Sequence, residues 1–104
     1  MIEPLEPKTP GAIKDYGIDW SVYFADTPAV TITDSTWEIL SELGSPDLVI
    51  DVVTIDGLTT LCRLSGGEAG REYLLLNHIT TSTGEEPEEP IKVRVKTPAD
   101  VGSL

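Results

Sequence analysis

Cysteine is almost absent from this sequence. Cys62 is the single cysteine among 104 residues, so no disulfide can form within the chain, and a zinc site built from several cysteines is excluded. The fold must therefore be stabilised by side-chain packing. A chain of this length suffices for one domain with a single modest core.

Basic residues are also scarce, and long apolar runs are missing. The chain has 7 Lys and Arg against 18 Asp and Glu, a formal net charge of -11. This argues against nucleic acid and anionic membranes as partners, because phosphates are neutralised by clustered bases. No apolar run approaches the roughly 20 residues of a spanning helix, and residues 1–10 lack the regions of a signal peptide. We therefore expect a soluble protein made in a cytosol.

Residues that could support catalysis or bind a metal form no recognisable motif. His78 is the only histidine, and neither Cys62 nor any serine lies in a nucleophile motif. The acidic run at 85–89 lacks the ligand spacing of a calcium loop. The sequence therefore predicts no enzyme, no cofactor and no metal site.

What the sequence does contain is alternation of apolar and polar residues. A period of two predicts a strand over residues 16–24, with one apolar face. The residues of that face are Tyr16, Ile18, Trp20, Val22 and Phe24. Further on, Val30 and Ile32 differ in parity from Trp37 and Ile39, which predicts a bulge near residues 34–36.

The middle of the chain predicts a hairpin. Residues 41–47 have loop composition, and the β-branched run 49–55 predicts a strand buried on much of both faces. Asp56 and Gly57 predict a two-residue turn, after which a strand returns over 58–65. Four residues of that strand share the parity expected to face the core: Leu58, Thr60, Cys62 and Leu64.

Residues 64–81 are the most regular stretch. Three glycines within 65–70 predict a tight corner. Tyr73 then resembles the tyrosine corner of immunoglobulin-like sandwiches, in which the phenol bonds back to upstream backbone. An acidic loop at 82–90 leads to the last strand. The inward residues of these two strands are expected to be Tyr73, Leu75, Asn77, Ile79, Ile91, Val93 and Val95.

Together these patterns predict an all-β fold, a single immunoglobulin-like β-sandwich of about seven strands. The domain spans residues 13–96. Residues 1–12, rich in proline, form an extended arm, and residues 97–104 form a polar tail.

The outward faces of the last two strands predict a partner-binding surface. If residues whose numbers sum to about 172 pair, His78 lies opposite Arg94, Leu76 opposite Lys96 and Thr80 opposite Lys92. A basic, partly apolar patch would result, suited to an acidic surface of another subunit. The candidate partner-binding residues are Leu74, Leu76, His78, Lys92, Arg94 and Lys96 on this patch, with Ile2 and Leu5 of the arm.

Several short motifs occur in a characteristic order. They are DYGIDWS at 15–21, Trp37, LSGGEAG at 64–70, Tyr73, NHITT at 77–81 and IKVRV at 91–95. In this order and spacing they resemble small structural proteins of tailed phages, of the phage fibre-tail adaptor-like family, over about residues 13–96. Two departures from the family pattern are a longer segment at 44–56 and the apolar pair Leu74 and Leu76.

The resemblance implies a non-enzymatic virion protein, an adaptor or connector at the neck, the tail or the fibre attachment site. Such a protein is synthesised in the host cytoplasm and binds other phage structural proteins, in several copies within a symmetric assembly. No catalytic or cofactor residues follow from it.

Two alternatives remain open from the sequence. One is a glycan-binding or receptor-binding immunoglobulin-like module that uses Trp37, Tyr23 and the 41–47 loop. The other is a head decoration protein, which differs from the adaptor only in its location.

Overall fold

The computed structural model describes residues 7–26, 29–40 and 48–97. Six strands lie in these ranges, namely β1 (Lys14–Asp19), β2 (Ile32–Ile39), β3 (Leu48–Asp56), β4 (Thr59–Gly66), β5 (Glu72–Thr81) and β6 (Glu88–Arg94). The predicted all-β fold is confirmed, with six strands in the described ranges where we expected about seven. The predicted 41–47 loop lies outside these ranges. Among the described residues, no helix has the length and apolar character needed to cross a membrane.

The strands form two three-stranded antiparallel sheets, in the orders β1-β4-β3 and β2-β5-β6. The larger core cluster draws residues from both sheets, including Cys62 and Leu64 of β4 and Leu75 of β5. The parities predicted for the last three strands are confirmed, and Leu58 is half-buried. The buried inward residues are Thr60, Cys62, Leu64, Tyr73, Leu75, Asn77, Ile79, Ile91, Val93 and Val95.

The first strand is shorter than predicted. Asp19 Oδ1 accepts a hydrogen bond from the backbone N–H of Ser21 (2.9 Å), and this side-chain turn competes with the strand. A helical turn follows, in which the N–H of Phe24 donates to the C=O of Trp20 (3.2 Å). Trp20 and Phe24 thus both point inward, but Val22 is 81% exposed. The predictions of a strand to residue 24 and of an inward Val22 are wrong.

The predicted bulge in β2 is confirmed close to its expected place. The register between β2 and β5 shifts between Ile32 and Asp34. The shift lets Ile32 and Trp37 both be buried although their numbers differ in parity.

The prediction that residues 49–55 are buried on both faces is wrong. β3 pairs with β4 alone among the described strands and lies at the edge of its sheet. Val49, Val52, Val53 and Ile55 are 50%, 47%, 42% and 39% exposed. A continuous apolar run is typical of a central strand with neighbours on both sides, and β3 has no such neighbour in the described structure. The turn after it lies one residue later than predicted, between Asp56 and Thr59.

The glycine corner after β4 is confirmed. Gly66, Gly67 and Gly70 have φ of 72°, 98° and 91°, a left-handed conformation that favours glycine. The backbone N–H of Glu68 donates to Tyr73 Oη (2.8 Å). The predicted bond from Tyr73 to upstream backbone is therefore confirmed.

A buried polar network joins the two sheets. Trp20 Nε1 donates to Thr60 Oγ1 (3.1 Å) and to Asn77 Oδ1 (3.1 Å), and Thr60 Oγ1 donates to the same Asn77 oxygen (2.6 Å). Asn77 Nδ2 donates to Ser35 Oγ (3.0 Å) and to the C=O of Thr36 (2.9 Å). Thr60 belongs to one sheet and Asn77 to the other, so the network fixes how the sheets pack.

Lys8 connects the start of the described chain to its end. The backbone N–H of Lys8 donates to the C=O of Arg94 (3.0 Å), and its C=O accepts from the N–H of Lys96 (2.9 Å). These two bonds form a parallel bridge between Lys8 and Val95. The side chain is 1% exposed, and its Nζ donates to the C=O of Gly66 and of Thr9. Burial, followed by the charge of Lys14, lowers the pKa of Lys8. The division into arm, domain and tail stays a prediction.

Candidate partner-binding surface

The outer face of β5 carries the residues that the sequence suggested for partner binding, but their neighbours differ. Leu74 lies opposite Lys92 and Leu76 opposite Pro90, whereas His78 lies opposite Glu88. Arg94, predicted to face His78, lies opposite Glu72. The predicted pairing of the last two strands is therefore wrong, by six residues.

The error has a local cause in the acidic segment, which the sequence analysis treated as loop up to residue 90. β6 begins at Glu88, and the chain reverses within residues 82–87. The C=O of Glu85 accepts bonds from the N–H and the hydroxyl of Thr81 (both 3.0 Å), and the N–H of Ile79 donates to the C=O of Pro87 (3.1 Å). Because the shift is even, every residue stays on its predicted side of the sheet.

The residue that follows β2 adds an apolar side chain that the sequence did not suggest. The N–H of Leu40 donates to the C=O of Leu74 (2.7 Å), and the Leu40 residue is 37% exposed. Leu40, Leu74, Leu76 and Pro90 thus form the apolar centre of one surface, which we call the β5 face. Leu40 could have been assigned to this surface only from the pairing of β2 with β5, because these two strands are far apart in the sequence.

Charged residues surround this apolar centre, and both signs are present. At one end, the carboxylate of Glu72 binds the guanidinium of Arg94 and lies 3.9 Å from Lys92 Nζ. The Arg94 hydrogen bond lowers the pKa of Glu72. Glu38 of β2 lies opposite Leu76. The β5 face therefore carries charges of both signs, where the sequence predicted a basic patch.

At the other end, His78 is held between two carboxylates. Its Nδ1 lies 3.0 Å from Glu88 Oε2, and its Nε2 lies 2.9 Å from Glu86 Oε1. Hydrogen bonds to Glu88 and then Glu86 raise the pKa of His78, because both carboxylates favour the protonated ring. His78 thus ties the centre of β5 to the turn before β6.

The remaining predicted residues are Lys96, Ile2 and Leu5. Lys96 lies beyond the end of β6, where its backbone binds Lys8. Ile2 and Leu5 lie outside the described residues. Partner binding by all of these residues stays a prediction.

The described residues offer no metal centre, since no group of three or more His, Cys, Asp or Glu side chains among them could hold an ion. Cys62 is fully buried, and desolvation, with the nearby charge of Asp15, raises the pKa of its thiol to about 12. A thiol in this environment stays protonated at neutral pH and is a poor nucleophile.

The His78 site predicts a pH dependence of stability. The raised pKa means that the charged ring is stabilised in the folded protein, a contribution fully present below the unfolded pKa of about 6.5 and lost as the pH rises through the folded pKa. We expect the melting temperature of the wild type to exceed that of H78N by the largest amount below about pH 6.5. This difference in melting temperature should shrink as the pH rises through the folded pKa of His78. A difference that stays constant with pH would contradict the prediction.

The sequence model of the family described as "Podophage GP4 fiber-tail adaptor protein gp77" matches residues 8–94, a range that includes all six described strands. A search of curated proteins finds no match to the chain.

Proposed function

Because the chain belongs to the podophage GP4 fiber-tail adaptor family, we propose that it is a non-enzymatic structural protein of a phage virion, located at the neck, the tail or the site of fibre attachment. The observation that carries this proposal is the match over residues 8–94, which include all six described strands. Its partners are other structural proteins of the particle, which it binds as several copies in a symmetric assembly.

The β5 face is the surface we assign to one of these contacts. β5 is hydrogen-bonded to β2 on one side and to β6 on the other, so its outer residues are held in place before any partner binds. Preorganisation lowers the entropic cost of association. The centre formed by Leu40, Leu74, Leu76 and Pro90 supplies apolar area, and the charged rim selects the orientation of the partner.

An immunoglobulin-like arrangement is part of the proposal. The Tyr73 bond to the backbone of Glu68 and the packing of two antiparallel sheets support it, because both are features of that fold. Sandwiches of this kind offer faces and edges for assembly without an active-site cleft.

The geometry favours the adaptor over the glycan-binding alternative. That alternative relied on Trp37 as a sugar platform, but this residue is only 8% exposed and belongs to the core. A stacking platform needs an accessible ring face. Tyr23 is 56% exposed, and the 41–47 loop lies outside the described residues.

Incorporation into particles tests the role of the β5 face. The double variant L74T/L76T removes apolar area while keeping residues suited to a strand, so it should fold but enter virions about tenfold less, the effect of about 1.4 kcal/mol of lost binding energy. Quantitative mass spectrometry of purified particles measures this. I13T/V22T is the matched control, since Ile13 and Val22 are apolar, exposed and outside the β5 face.

Two failures are distinguishable in this experiment. If the wild-type protein is absent from purified particles, the virion role is refuted. If the wild type is present and L74T/L76T enters particles equally well, the adaptor role stands and the β5 face is not its contact surface.

A further inference from the structure

The edge strand β3 exposes an aliphatic surface that the proposed role of the β5 face does not use. Val49, Val52, Val53 and Ile55 are each 39% to 50% exposed, and the strand carries two charges, Asp51 and Asp56. Folded proteins normally protect such an edge with lysine, proline or a covering segment, because its free backbone groups pair readily with another strand. β3 has neither lysine nor proline, and its protection among the described residues is limited to a bulge and the two aspartates.

The pairing with β4 defines the side of the sheet on which each residue of β3 lies. Three residues lie opposite the buried positions of β4, namely Ile50, Val53 and Ile55. Four lie opposite its outward positions, namely Val49, Val52, Thr54 and Asp56. Asp51 is the extra residue of the bulge between Ile50 and Val52.

We propose that two copies of the chain pair antiparallel through their β3 edges, around a two-fold axis at Val53. Such an axis, perpendicular to the sheet, keeps the inner sides of both copies on the same side, so inward residues must face inward residues. An axis at Val53 meets this condition along the strand when the bulge residue Asp51 is left unpaired. Val53 faces its own counterpart, Val52 faces Thr54, Ile50 faces Ile55, and Val49 faces Asp56.

The chemistry of these pairs fits a second copy. β-branched side chains face one another in the middle of the interface, an arrangement that stabilises antiparallel pairs, and no carboxylate faces another carboxylate. Centring on Val52 would instead place Ile55 opposite Leu48, which is 2% exposed and already committed to its own core. The Val53 pairing joins the two sheets into one of six strands and covers both β3 edges.

Net charge gives the contact a distinctive salt dependence. Each copy carries a charge of -11, so association works against long-range repulsion that salt screens. Dimerisation should therefore strengthen as salt rises from about 0.05 M to about 0.5 M, a range over which the Debye length falls severalfold. A contact between this edge and a basic partner would weaken with salt instead.

Disulfide trapping tests the register directly. In the Val53-centred pair the two Val53 Cα atoms lie about 4.5 to 5.5 Å apart, within the range that a disulfide spans. V53C should form a covalent dimer under mild oxidation. V52C, at a similarly exposed position one residue away, should not, because it faces Thr54. Native Cys62 adds no background, being fully buried.

Sedimentation of the complete chain provides the independent measurement. We expect the mass to double from 11.2 kDa at high salt, and we expect V53K, which puts two like charges at the axis, to stay monomeric while V22K dimerises like the wild type. A wild-type chain that is monomeric at every salt concentration would overturn the proposal, and the β3 edge would then be a contact for a different protein. Trapping of V52C in place of V53C would overturn the register.

Discussion

Replacing Asn77 with leucine is expected to lower the free energy of unfolding by about 3 kcal/mol, because buried polar groups lose their partner at a cost of about 1 to 3 kcal/mol each. The Ser35 hydroxyl and the C=O of Thr36 lose the bonds donated by Asn77 Nδ2. Thr60 loses its acceptor. Leucine keeps a similar volume, so the loss reports on hydrogen bonding more than on a cavity. Urea unfolding followed by tryptophan fluorescence measures it.

A double-mutant cycle separates the network from the single residue. Because Thr60 donates to Asn77, T60V and N77L should be coupled, and the double variant should lose about 1 kcal/mol less than the sum of the single losses. Additive effects, or an N77L protein within about 0.5 kcal/mol of the wild type, would show that the network contributes little.

Replacing Gly67 with alanine is expected to cost about 3 kcal/mol through two effects, backbone strain of about 1 to 2 kcal/mol and overpacking of about 1 to 3 kcal/mol. Its φ is 98°, a conformation that residues with a side chain rarely adopt. A Cβ there would lie 2.7 Å from Cγ2 of Val95, which is 1% exposed and has little room to move. Thermal unfolding by circular dichroism measures the loss.

Two other glycines serve as controls, since each isolates one effect. Gly70 has a similar φ of 91° but open space around its Cβ position, so G70A should show the backbone strain alone. At Gly17 the φ is ordinary, but a Cβ would lie 2.7 Å from the C=O of Thr60, so G17A should show the steric effect alone. If G67A and G70A are equally stable, Val95 does not oppose the new methyl group.

The sequence allowed us to predict which residues of a strand face the core, because the pleated backbone itself sets the period of two. Tyr73, Leu75, Asn77 and Ile79 were all placed inward, and all are buried. The tyrosine corner could also be predicted, since glycines and a nearby tyrosine form a local pattern that needs no distant partner.

Register and strand position could not be predicted in the same way. The pairing of β5 with β6 depends on where the turn closes, and the prediction failed because Glu88 and Glu89, acidic residues typical of loops, are part of β6. The exposure of Val52 and Val53 depends on the absence of a neighbouring strand in the described structure, which no local pattern reveals. Alternation likewise failed at Val22, because Asp19 accepts a hydrogen bond from the N–H of Ser21 and the strand ends there.

The candidate surface was predicted in part. Leu74, Leu76 and His78 lie on one outer face as expected, yet the charges around them changed once the register was known. His78 faces Glu88 instead of Arg94, and Leu40, which follows β2, is far away in sequence from the other residues of this surface.

The Lys8 bridge has a consequence for the way in which the domain opens. Lys8 and Val95 are separated by nearly the whole described chain, so their contact closes the longest loop between paired residues of the described structure and carries a large closure entropy. Breaking it separates none of the six strands from its neighbours. Residues 7–13 can therefore detach as a unit in a partial unfolding event while the strand pairing of both sheets remains intact.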